Sequence, residues 1–286
     1  MTKISLFTHL TNKQQELFDE DYMDHLHRRN GEVDLGTRRF SVRERFFEDV
    51  EANPIRRHGP PVVDQAVFER NEGRSYPEPG LDEATLWALA VAKSNRTERD
   101  GVEYMLSHTD PTILGPDNPL TYINVEEFYH TRVLNDALDV LDLEMHQFPP
   151  PLMSRTIGRS VTQLPKSVSN IIVFTAEIAG VAAFRLLRDK GYELFDDQPK
   201  PLERLGEFFQ QILVDEVGHV HYVRSRLGPA QLQIAKAMLP IVARGLIHDM
   251  PEYDLLFGKK LMDTIVAADV DSAVVDYHDK FVPTYS

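Results

Sequence analysis

The chain has 286 residues, is 42% hydrophobic, and carries a formal net charge of -14. That is enough apolar sequence for a sizeable core, and the acidic balance disfavours nucleic-acid phosphate or an anionic membrane as main partner, since those surfaces need clustered Lys and Arg. The absence of Cys removes disulfides, thiolate zinc sites, Cys-ligated clusters and Cys nucleophiles together, so any metal must be held by oxygen and imidazole. With no basic leader and no uninterrupted apolar run of about 18 residues, a soluble cytoplasmic protein is the expectation.

In chain order, residues 1–80 read as an N-terminal extension with short helices around Asn12–His27 and Ser41–Ala52, followed by a Pro-punctuated connection through Pro54, Pro60, Pro61, Pro77 and Pro79. The doublets Arg28-Arg29 and Arg56-Arg57 read as local surface features. A long helix is expected from near Leu81 to His108, with an apolar face through Trp87, Val91, Ser94, Glu98, Val102 and Met105. Gly115 and three prolines break the chain between Thr109 and Pro119. A second helix, about Leu120 to His146, places Ile123, Glu127, His130, Leu134, Leu138 and Leu141 on one face. The stretch from Phe148 to Pro165 is too long for a tight hairpin and reads as a crossover.

Helices are then expected at about Lys166–Asp189 and Leu202–Leu227, joined through Asp196-Asp197-Gln198-Pro199 and stopped by Gly228-Pro229. Two more, Ala230–His248 with a kink at Pro240 and Glu252–Ala268, should pack outside the four-helix bundle. This divides one compact unit into an extension (1–80), a bundle (81–227) and C-terminal helices (228–286).

Two of these helices carry the same pattern. Glu126-Glu127-Phe128-Tyr129-His130 and Asp215-Glu216-Val217-Gly218-His219 both read acid, Glu, x, x, His, and Glu and His three apart share one helix face where both can ligate one ion. Composition alone predicts roughly 0.8 accidental Glu-x-x-His matches, so the motif needs support. Glu177 supplies some: it interrupts the apolar run Ile171–Phe184, and a carboxylate there must find a cation, a proton or a hydrogen-bond donor.

Glu98 is its counterpart, because Glu98-Arg99-Asp100-Gly101-Val102 and Glu177-Ile178-Ala179-Gly180-Val181 share Glu, x, x, Gly, Val. Glu103 is the rival, lying off the apolar line. At about 1.5 Å of rise per residue, Glu98 and Glu127 lie within a turn of one level, and so do Glu177 and Glu216. His221, two residues past His219, should point elsewhere. Gly180, one turn beyond Glu177, leaves room for oxygen or substrate near a metal or only allows close helix packing. Phe128, Tyr129, Phe174, Phe184, Phe208 and Phe209 are core or pocket candidates.

The set Glu98, Glu127, His130, Glu177, Glu216 and His219, in this order around a long crossover, resembles the ferritin-like di-iron carboxylate superfamily over roughly residues 81–227. The resemblance implies an all-α, ferritin-like four-helix bundle with helical extensions, holding two Fe ions, with Mn an alternative in one or both sites. It also implies that the preceding acids orient histidines of the opposite hairpin, Asp215 for His130 and Glu126 for His219, with a solvated residue the alternative reading of Glu126.

A reductase small subunit would carry its radical tyrosine where this chain has Leu134, and storage ferritins usually have one Glu-x-x-His. The two-histidine set is more similar to bacterial multicomponent monooxygenases, aldehyde-deformylating oxygenases and the p-aminobenzoate N-oxygenase group. The last usually adds a His where Ile212 stands, which puts its N-oxygenation mechanism in doubt for this chain. The implied activity is O2-dependent oxidation of a small organic substrate, with electrons from a donor or reductase and a homodimer as the family habit. An iron-oxidising, iron-handling protein is the alternative.

Overall fold

In the computed structural model, which describes residues 5–108, 115–149, 163–274, 280, 281 and 283 (104–108 by backbone alone), the chain is mostly helical, with ten helices among the described residues. Helix α1 (Asn12–Asn30) starts at a capping box in which the Thr11 side chain and that of Gln14 each accept from the other's backbone N–H. It buries a row at four-residue spacing, Phe18, Tyr22, Leu26 and Asn30. Gly31, at φ 72°, turns the chain into a two-stranded antiparallel hairpin, β1 (Val33–Asp34) and β2 (Arg39–Phe40), which the sequence reading missed. The hairpin returns the chain so that helix α2 (Ser41–Ala52) begins beside the end of α1.

A further helix, α3 (Gln65–Glu72), lies inside the segment expected to be a mere connection. Asp64 caps it by accepting from Val67 N–H at 3.0 Å, and its buried Glu72 pairs with Arg96 at 2.7 Å and accepts from the His146 N–H. The bundle follows: α4 (Glu83–His108), α5 (Pro119–Asp139), α6 (Lys166–Leu194) and α7 (Pro199–Ser225). Helix α5 stops seven residues before the expected His146. Leu143 N–H bonds back to the Leu138 carbonyl at 3.2 Å, and Asp142 takes a left-handed φ of 60°, so Leu141 and Leu143 enter the core from a turn.

Contact pairs fix the directions. Asn95 lies opposite Thr131 and Glu98 opposite His130, so α4 and α5 run antiparallel. His130 faces Asp215 and His219 faces Glu126, so α5 and α7 do too. Gly180 meets Glu216 while Gly206 meets Tyr192, which makes α6 and α7 antiparallel. Trp87 donates to the Leu187 carbonyl at 2.8 Å and Glu83 pairs with Lys190, so α6 is antiparallel to α4. Helices α5 and α6 therefore run the same way, and the chain between them must traverse the bundle, as the crossover reading requires. Residues 150–162 of that crossover lie outside the described residues.

The C-terminal part holds α8 (Pro229–Asp249), which continues across Pro240, then α9 (Pro251–Phe257) and α10 (Lys259–Ala267). The last two were expected as one helix. Gly258, at φ 51°, separates them. They pack on α4, α6 and α8, outside the four central helices. By length and composition α6 is long and apolar enough to cross a membrane; here 61% of that apolar window is buried inside the protein.

Candidate metal centre

The six residues singled out from the sequence converge between the four central helices. Their ligand atoms form two groups that share two members: Glu98, Glu127, His130 and Glu216 make one, and Glu127, Glu177, Glu216 and His219 make the other. Within each group the ligand atoms lie within 4.8 Å of one another. His130 Nδ1 stands 3.3 Å from both Glu127 and Glu216 and 3.9 Å from Glu98. His219 Nδ1 stands 3.2 Å from Glu127 and 3.9 Å from Glu177. Glu127 and Glu216 thus belong to both groups and would serve both ions of a bound pair, while Glu98 and Glu177 belong to one each. Glu103 is exposed and belongs to neither group.

Each imidazole is held from behind by the acid preceding the other hairpin's motif. His130 Nε2 lies 3.2 Å from Asp215, and His219 Nε2 lies 2.9 Å from Glu126. Facing carboxylates, the Nε2 atoms carry protons and donate. Both Nδ1 atoms are buried without a hydrogen-bond partner and aim at the glutamates. A buried nitrogen with no hydrogen-bond partner, surrounded by carboxylate oxygens, fits a metal ligand well, and oxygen with imidazole suits Fe or Mn.

Electrostatics point the same way. Burial, and then the charge of Glu127, hold the Glu98 carboxyl well above the usual range; burial, and then Glu216 and Glu127, do the same to Glu177. Burial would lower the histidines, but it is outweighed at His130 by Glu127 and Asp215, and at His219 by Glu126 and Glu127, so both imidazoles are raised well above their ordinary value. At Glu127 the opposing burial is overcome by His130 and His219, which hold that carboxyl low. Among the protein groups alone, protons take the place that a cation would fill.

The N-terminal extension closes the histidine side of the cluster. Arg29 Nε and Arg43 Nη2 each reach Asp215 at 2.5 Å, and Asn30 Nδ2 donates to Glu126 at 2.6 Å. The two arginines outweigh burial and hold Asp215 well below the usual carboxylate range. The reading of Arg28-Arg29 as a surface doublet is therefore half wrong: Arg28 is exposed, while the Arg29 side chain is 8% exposed and ion-paired. Arg57 is similar, with its side chain covered and paired to Asp197, whereas Arg56 stays outside. On the opposite side the Glu98 and Glu177 side chains keep 18% exposure, against 1% for Asp215 and Glu126 on the α1 and α2 side.

Other candidates fall elsewhere. His221 turns away to Asp271 at 2.9 Å. Phe128 is exposed, and Tyr129 faces α2, accepting from Phe40 N–H and donating to Glu44. Phe174, Phe184, Phe208 and Phe209 are core, as are Leu134 and Ile212. Met105 lies outside the residues whose side chains are described.

Gly180 packs directly on the cluster: a methyl group there would sit 3.3 Å from Glu216 Oε2. Gly180→Ala should raise the thermal stability of the metal-free protein by about 0.5–1 kcal/mol, through helix propensity. It should also weaken Fe(II) binding severalfold by crowding a bridging oxygen. Unchanged binding in an anaerobic titration would leave Gly180 a packing role only.

Comparison of the chain with family models, curated proteins and solved structures gives no match in any of the three.

Proposed function

We propose that this chain is a dinuclear non-haem oxidoreductase of monooxygenase type, built on a ferritin-like bundle, that uses O2 to oxidise a small organic substrate. The carrying observation is the pair of overlapping ligand groups joined by Glu127 and Glu216. Antiparallel neighbours, with α5 and α6 running the same way, are what a ferritin-like bundle with one long crossover requires.

Two Fe ions, or Mn in one or both positions, would be held by Glu98 and His130 on one side, Glu177 and His219 on the other, and Glu127 and Glu216 between. When bound, such a pair supplies O2 activation and redox equivalents that no side chain here provides. The protein's own part is to fix the donors. Asp215 and Glu126 accept the Nε2 protons and so present each Nδ1 lone pair inward. The covered α1 and α2 side keeps water off the histidines, and the partly open side at Glu98 and Glu177 is where O2 and substrate approach. A reductase or the substrate itself supplies the remaining electrons.

The test is anaerobic reconstitution with Fe(II), followed by O2 and a panel of small organic molecules with an electron donor. Stoichiometric dinuclear iron with O2 uptake coupled to substrate oxidation supports the reading. Turnover confined to iron oxidation, with accumulating mineral, assigns the chain to iron handling instead. Failure to take up stoichiometric iron or manganese sinks both.

A further inference from the structure

Arg43 uses all three guanidinium nitrogens on separate fixed acceptors while only 3% exposed. Nε donates to Asn30 Oδ1 at 2.9 Å, Nη2 donates to both oxygens of Asp215, and Nη1 donates to Gln211 Oε1. Asn30 then donates from Nδ2 to Glu126 Oε1. Its amide orientation is fixed by its partners: the oxygen must face the guanidinium and the nitrogen the carboxylate. Two chains of hydrogen bonds therefore leave one side chain, Arg43–Asp215–His130 and Arg43–Asn30–Glu126–His219.

We infer that Arg43 is a positioning residue for both histidines of the cluster, which makes the N-terminal extension part of the centre. This rests on reading the cluster as a metal site. The local fold supports it. Asn30 is the last residue of α1 and Arg43 lies in the first turn of α2, and the β1–β2 hairpin sets the two side by side. The Tyr129 hydroxyl then ties Phe40, the β2 residue directly before α2, to α5, the helix that carries Glu126 and His130. Arg29 reaches Asp215 but not Glu126 or Asn30, so it serves the His130 half alone. A lysine at 43 would keep the charge but has no planar fork with which to bind Asn30 and Asp215 together.

The inference predicts a pattern. Arg43→Lys should disturb both histidines, Asn30→Leu only His219, and Arg29→Met only His130. The first readout needs no metal: in the 15N-labelled full-length protein, the Nε2–H resonances of His130 and His219 should be shifted downfield and protected from solvent exchange. They are assigned by their loss in His130→Gln and His219→Gln. Each variant should abolish the protection of its own histidines.

The second readout is anaerobic Fe(II) titration, in which loss of such support costs about 10–100-fold in affinity at the affected position. Protection of both protons surviving in folded Arg43→Lys, or loss of only one, overturns the inference. If Arg43→Lys does not fold, Asn30→Leu and Arg29→Met decide it, and crossed or absent selectivity overturns it. Wild-type protein that shows both protected protons yet takes neither Fe(II) nor Mn(II) would defeat the metal reading while leaving the positioning of the histidines intact.

Discussion

Alanine at either Glu127 or Glu216 is expected to abolish binding of both ions, whereas Glu98→Ala and Glu177→Ala each abolish one. The asymmetry follows from the overlap of the ligand groups: Glu127 and Glu216 belong to both, and Glu98 and Glu177 to one each. Metal content after anaerobic Fe(II) loading should fall from about two ions per chain to near zero in the bridging variants and to about one in the terminal ones. With free Fe(II) at 1,000 times its dissociation constant, each occupied position stabilises the fold by about 4 kcal/mol, so the wild type should gain far more thermal stability from iron than either bridging variant. Because Glu127 is the counter-charge of both imidazoles in the metal-free protein, the melting temperature of each variant without iron is measured alongside, so that loss of metal is read only from variants that fold. Equal loss in all four variants would refute the bridging assignment. Retention of both ions in Glu216→Ala would refute the site.

How far the sequence discloses this centre depends on where each residue sits. The candidate ligands are legible because burial makes them anomalous: Glu177 stands alone in the apolar run Ile171–Phe184, and the two Glu-x-x-His motifs fall on core-facing stripes. The structure also places Asp215 behind His130 and Glu126 behind His219, the cross-pairing that the resemblance implied. Arg29 and Asn30 were missed, since a polar helix with doubled arginines reads as surface until its partner is known, and Arg43 of α2 because its partner Asp215 is 172 residues away in the chain. One signal was available. Phe18, Tyr22 and Leu26 recur at four-residue spacing and run directly into Asn30, which marks that polar residue as inward-facing.

The boundary errors have a common cause: periodicity reports which side chains are buried, not the backbone that carries them. Leu141 continues the stripe of α5 from beyond its end, and Gly258 divides a pattern that stays amphipathic on both sides. Helix α3 was hidden for another reason. At eight residues between prolines it has almost no period to show, and its buried Glu72 acquires meaning only from Arg96.

Metal affinity should rise steeply with pH, because ions and protons compete for the same atoms. In the metal-free protein Glu98 and Glu177 are raised above their ordinary 4.5, and His130 and His219 above 6.5. For a group raised on folding, the stabilisation is full below the unfolded value and lost as pH rises through the folded one. The metal-free protein should therefore lose stability as pH climbs, above about 4.5 through the two carboxyls and above about 6.5 through the two imidazoles. Glu127 and Asp215, held low, act oppositely, and their contribution is lost only on acidification below the usual carboxylate range.

Binding a divalent ion expels the protons, and each one expelled steepens affinity by about tenfold per pH unit, so release of two gives about 100-fold. The increase in melting temperature produced by a fixed Mn(II) concentration should consequently grow between pH 6 and pH 8 even as the metal-free melting temperature declines. Calorimetric titration in buffers of different ionisation enthalpy counts the released protons directly. Glu98→Gln cannot titrate, so it should reduce that count and flatten both pH dependences. A metal-free melting temperature that rises across this range, or binding without proton release, would show that the cluster is not held together by protons and that the competition does not exist.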